Sequence, residues 1–241
     1  MIRFWHWLNI QGKSDWNDNN FYYIKIIFND SVNIPYGSIS FSDGSSTNLS
    51  NIQTKVIGNQ TYYYYEYPKT KKITGLPNMF FYSLDAYLIE MTEPLDLFGF
   101  ESGSCFRMFQ GFFTVFSIPN ATFGSLSDAM SVHGQVFNFF HTDTLILPKN
   151  KLKQNMDLSS TAYFSKQQIY DIVDWCANDG NSYSLYLNIG TDSCYGSDLV
   201  TANQKVQDVR QNPSSYIISD TELLQIDTTL ANKNWTLYLY S

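Results

Sequence analysis

Positive charge is scarce in this chain. Its 15 Lys and Arg stand against 22 Asp and Glu, a formal net charge of −7, and charged residues make up only 15% of it. Phosphate-rich partners need basic side chains concentrated on one face, so neither nucleic acid nor an anionic membrane is expected as a partner. Cysteine is sparser still. Cys105, Cys176 and Cys194 are an odd set without Cys-x-x-Cys spacing, which indicates neither a disulfide framework nor a zinc site. They read as small hydrophobes, and a Cys176–Cys194 bridge has no support from spacing. His6, His133 and His141 are too scattered for a metal-binding motif. No run approaches the roughly 18 apolar residues of a membrane span. The first ten residues carry Arg3 but no apolar stretch or small-residue cleavage site, so a secretory signal is not expected.

Aromatic residues are abundant at 17%, with 18 Tyr and 18 Phe, which suits pleated β packing better than a helical bundle. Residues 1–75 read as a small β-sandwich-like domain. Residues 21–28 are rich in β-formers, 37–42 alternate with period two before Asp43-Gly44, and 54–57 and 61–67 continue the pattern. Pro68 with Lys69, Lys71 and Lys72 suggests a sheet edge. The Pro-bounded stretch from Ile73 to Pro77 is the expected domain boundary.

A repeat follows. Met79-Phe80, Met108-Phe109 and Phe139-Phe140 recur about 30 positions apart, and each leads into a short extended run at 86–91, 114–119 and 144–148. Such a period implies one supersecondary unit per repeat, each burying its apolar face against its neighbours. Helix signals come only later. Ser165 and Gln168 form a capping box before Ile169, Ile172, Val173 and Cys176, and Asn178-Asp179-Gly180 stops that helix. Residues 182–189 read as a strand, 198–211 as a second helix, and Asp220 as the cap of a third carrying Leu223, Leu224 and Leu230. Residues 235–240 read as a closing strand.

These repeats and this ending resemble the BspA-like bacterial leucine-rich-repeat surface proteins. The matching segments at the end are 169–176, 185–189, 222–230 and Trp235-Thr236-Leu237, with Asn234 where the family often has Gly. Of the family's Trp-Gly-Asp-Gly turn, only Asp43-Gly44 is present. The resemblance covers residues 76–240. It implies a fold that is mainly β with a few helices (α+β), in which residues 76–241 form a short, irregular leucine-rich-repeat-like solenoid with a helical C-terminal cap. It also implies a non-enzymatic binding or display module.

No nucleophile elbow, phosphate loop or Cys/His arrangement is present. Glu90, Glu93, Asp96 and Glu101 are the one acidic group worth weighing for a polysaccharide-degrading enzyme, and they read as solvated turn acids. No catalytic, cofactor-binding or metal residues are expected, and no cofactor. Candidate contact residues are aromatic: Phe4, Trp5, Trp7 and Leu8 near the start, and Tyr63, Tyr65 and Tyr67 in the tyrosine run, with Trp16 as a further platform. The sequence therefore leads us to expect a structural or receptor-facing component of a bacteriophage virion. It would be made in the host cytoplasm and act as a homo-oligomer with other virion subunits, or on a host surface protein or glycan. A bacterial cell-surface adhesin is the alternative.

Overall fold

The computed structural model describes Trp16 and residues 20–29, 31, 32, 34, 36–75, 84–92, 111–120, 139–153, 155–158, 164–191 and 198–240. Among them the fold is mainly β, with three α-helices.

Strand β1 (Phe21–Phe28) is the aromatic and β-branched run, and its alternation divides the structure. Ile24, Ile26 and Phe28 enter the main core, while Ile27 joins a smaller cluster with Tyr62, Leu88 and Val115 on the opposite face. Six strands form this sheet in the order β4-β5-β1-β7-β8-β9. The remaining members are β4 (Gln53–Ile57), β5 (Gln60–Pro68), β7 (Leu84–Met91), β8 (Gly111–Ser117) and β9 (Phe139–Ile146). A satellite sheet, β3-β2-β6, is built from β2 (Ser38–Phe41), β3 (Ser46–Asn48) and β6 (Ile73–Gly75).

Two hairpins depend on glycine. Gly44 (φ 80) turns β2 into β3, and Gly58 (φ 63) occupies the first central position between β4 and β5, where a side chain would be strained. Asp43 fastens the first turn. Its carboxylate accepts from the Ser45 amide at 3.0 Å and pairs with Lys71 at 2.9 Å.

The repeat segments become neighbouring parallel strands. Leu88 lies beside Val115 and Val115 beside Thr144, while Ile89, Phe116 and Leu145 form the next row. Parallel strands need long crossovers, and residues 93–110 and 121–138, which make them, lie outside the described residues. On its other side β7 runs antiparallel to β1, so one hydrogen-bonded sheet contains strands from both sides of residue 75.

A second sheet of order β10-β11-β13-β12 combines β10 (Met156–Leu158), β11 (Tyr183–Leu187), β12 (Leu199–Thr201) and β13 (Trp235–Tyr240). Leu185, Leu187, Leu237 and Leu239 share the main core with Ile169 and Ile172 of α1 (Lys166–Trp175), Val206 and Val209 of α2 (Ala202–Gln211), and Leu223 and Ile226 of α3 (Asp220–Ala231). The ends of α1 are both tied down. Ser165 and Gln168 cap its start reciprocally, and the Lys233 ammonium donates to the Val173 and Cys176 carbonyls at 2.9 and 3.0 Å at its end.

Local readings differ from the structure in four places. Pro68 ends an interior strand, and the sheet edge is β4, because the two-residue turn after Ile57 folds β5 inward between β4 and β1. The expected boundary stretch contributes a strand, β6, which pairs with β2. Residues 199–201 are the strand β12 and not the first turn of a helix, since they pair with β13. Ser219, not Asp220, caps the third helix.

Candidate functional site

Four adjacent strands, β4, β5, β1 and β7, carry the most concentrated set of polar and aromatic side chains, on the face away from the main core. Cross-strand register places Lys25 of β1 opposite Glu90 of β7, and their charges meet at 2.8 Å with side-chain exposures of 8% and 23%. Lys25 lies in an otherwise apolar run because its neighbour Glu90 neutralises it there. Trp16 lies over this face. Its ring meets Tyr23 and Tyr64 edge-on at 5.1 Å each and Tyr62 at 5.5 Å. The ammonium groups of Lys25 and Lys55 stand 5.2 and 5.0 Å from its centroid, within cation–π range. Tyr64 donates to Gln53 at 3.0 Å, and Gln53 donates to Glu66 at 3.4 Å. Burial first, then the Glu90 and Tyr87 charges, raises the Tyr62 phenol above its ordinary range.

The chemistry of this arrangement is that of a recognition or stabilising surface. Glu90, the acid best placed for a sugar-cleaving role, is held in an ion pair, and its companions Glu93, Asp96 and Glu101 lie outside the described residues. Among the described residues no group of three or more His, Cys, Asp or Glu could hold a metal. Cys176 is a free buried thiol that donates to the Ile172 carbonyl at 3.4 Å, and burial pushes its pKa up to about 12. That is far from nucleophilic character. His141 falls within β9; His6, His133, Cys105 and Cys194 lie outside the described residues.

The tyrosine run divides by parity. Tyr65 and Tyr67 are each 3% exposed in the main core, with Tyr63 packed against it. The Tyr65 hydroxyl donates to the Leu49 carbonyl at 2.5 Å. Tyr65 and Tyr67 are therefore core residues and Tyr63 is half-buried against them, because the period of two turns odd positions toward the main core and leaves Tyr62 and Tyr64 beside Trp16. Phe4, Trp5, Trp7 and Leu8 lie outside the described residues. Sequence reasoning did not pair Lys25 with Glu90, although a single charge inside the apolar run of β1 and Glu90 between the apolar Ile89 and Met91 of β7 were signals for it.

A second surface lies on the outer side of the four-stranded sheet. Tyr186 and Tyr238, opposite each other in register, stack at 5.1 Å with 15° between their rings. Ser184 and Thr236 form the next row, and Leu199 lies exposed beside Tyr240.

No protein-family model, curated protein or solved structure matches this chain. No described helix is long and apolar enough to cross a membrane.

Proposed function

We propose that the protein is a non-enzymatic contact module, a structural or receptor-facing component of a bacteriophage virion. The observation that carries this reading is the in-register parallel stack β7–β8–β9, in which Ile89, Phe116 and Leu145 bury one continuous apolar row. A short solenoid of the leucine-rich-repeat kind would use such a stack, with α1 to α3 closing its end. Asn234, at φ 63 in the turn into β13, has the backbone conformation that glycine or asparagine tolerates, which agrees with the resemblance at that position. Binding would come from shape and aromatic contact, with no bond made or broken.

The test is quantitative mass spectrometry of density-purified virus particles beside washed cell-surface material. The chain should co-purify with particles. Recovery only with cells would replace this reading with the surface-adhesin alternative, for which the half-buried Tyr186–Tyr238 stack supplies an aromatic face. Glycan hydrolysis that Glu90→Ala abolishes in the folded protein would overturn both.

A further inference from the structure

The six-stranded sheet is buried on both faces. On the face away from the main core, Ile27, Leu88 and Val115 lie side by side across β1, β7 and β8 and are 1%, 2% and 5% exposed. In the next row Lys25 and Ser117 are buried as well, on either side of Glu90. A sheet face left to water carries polar side chains and does not bury aliphatic ones. Among the described residues, the apolar side chains packed on this cluster are Trp16, Ile57, Tyr87 and Ile146. The last three belong to the sheet itself, and the ring contacts of Trp16 fall on β4, β5 and β1. Burial of Leu88 and Val115 therefore calls for a further layer of chain above β7 and β8.

Handedness argues against the crossovers of the parallel strands as that layer. Ile118 faces the main core, and its amide donates to the Ile146 carbonyl of β9 at 2.9 Å. In a chain of L-residues this sets β9 to the right of β8 when the strands point upward and the main core faces the viewer. Right-handed crossovers, the rule in about 98% of such connections, then pass on the main-core side. The opposite face is left to another part of the chain.

We infer that the apolar start of the same chain, Phe4, Trp5, Trp7 and Leu8, docks on this face above Leu88 and Val115. Trp16 already fixes the chain there, half-buried against Tyr23, Tyr62 and Tyr64. From its place over β5 and β1 to Val115 on β8 is two to three strand spacings, about 10–15 Å. The eight positions between Leu8 and Trp16 span about 12 Å as helix and about twice that when extended, so the start reaches without strain. Removing its aromatic rings and the aliphatic row from water together drives the docking. The residues expected to grip a partner are then used inside the molecule, and the outer face of β1, β7 and β8 is an internal interface.

This inference goes beyond the contact-module reading and does not rest on it, so purified protein tests it apart from particle composition. The experiment is methyl NMR of the full chain, with a soluble gadolinium chelate as the solvent probe. The methyl groups of Ile27, Leu88 and Val115 should show nuclear Overhauser contacts with the ring protons of Phe4, Trp5 or Trp7 of the same molecule. Phe4→Ser, Trp5→Ser, Trp7→Ser and Leu8→Ser together should raise the probe's effect on Leu88 and Val115 several-fold. Ile89 and Leu145, on the main-core face of the same sheet, should stay shielded in that variant, because unfolding would expose both faces at once. Leu88 and Val115 that stay shielded in the folded serine variant overturn the inference. So do ring-to-methyl contacts that are absent from the unaltered chain, a result that needs no variant to fold. Contacts seen only between differently labelled copies also overturn it, because the face would then belong to a second molecule.

Discussion

Gln168 joins a helix cap to a sheet edge. Its carbonyl oxygen accepts from the Ser165 amide at 2.6 Å, while its NH2 group donates to the Thr142 carbonyl of β9. With only 2% of its surface exposed, both ends of the amide are used in a place where water cannot replace them. Gln168→Ala should therefore lose part of a cap and strand a buried carbonyl, costing about 2–3 kcal/mol. Gln168→Glu keeps the acceptor but sets a carboxylate against a carbonyl, and should cost at least as much. Denaturant titration would read both as lower midpoints at unchanged slope.

Thr142 supplies the converse case. Its hydroxyl is buried and finds no hydrogen-bond partner among the described residues, although its backbone carbonyl is well used. Thr142→Val keeps the shape and removes the unpaired group, so stability should be unchanged or rise by about 1 kcal/mol. A loss of more than about 1 kcal/mol would mean that the hydroxyl is bonded in solution.

Lys25 and Glu90 should behave as a unit. Removing either leaves its partner charged in a mostly buried site, and Lys25→Met or Glu90→Leu alone should cost about 2–4 kcal/mol. The double replacement should recover most of that loss, because the desolvation penalty disappears with the pair. A double-mutant cycle that shows simple additivity would refute the coupling.

The chain's acid response should contain two opposed contributions. The Tyr216 hydroxyl, Lys205 and Asn212 around Asp208 hold its pKa down to about 2. Its contribution is therefore present above the ordinary carboxylate range and lost as pH falls toward 2. Asp227, partly buried on α3, has its pKa raised by burial alone. Its charge opposes folding, and this cost grows as pH rises through its folded pKa. Asp227→Asn should raise the melting temperature at pH 7 by a few degrees and have no such effect at pH 3. Asp208→Asn should lower it at pH 7 and flatten the acid limb.

Local signals in the sequence located most strands and all three described helices, because each rests on short-range chemistry. The run at 21–28, the Ser165/Gln168 box and the closing strand at 235–240 are examples. The recurrence of apolar pairs also marked the segments that hold the parallel strands β7, β8 and β9. Long-range pairing was not legible. That β1 inserts between β5 and β7, and that β6 returns to β2, follows from contacts between distant residues that periodicity does not encode. The inward turn of Tyr63, Tyr65 and Tyr67 was not legible for a related reason. A run of four consecutive tyrosines has no polar alternation, so its inward parity is set by neighbours such as Phe28 and Leu49 and not by the run itself.

The most direct measurement is a copy count of this chain in gradient-purified virus particles, by isotope-labelled peptide standards, before and after a high-salt wash. A structural or receptor-facing subunit should be present at a fixed number of copies relative to the major capsid protein and survive the wash. Copy numbers that vary between preparations, or that fall to background on washing, would contradict a place in the virion.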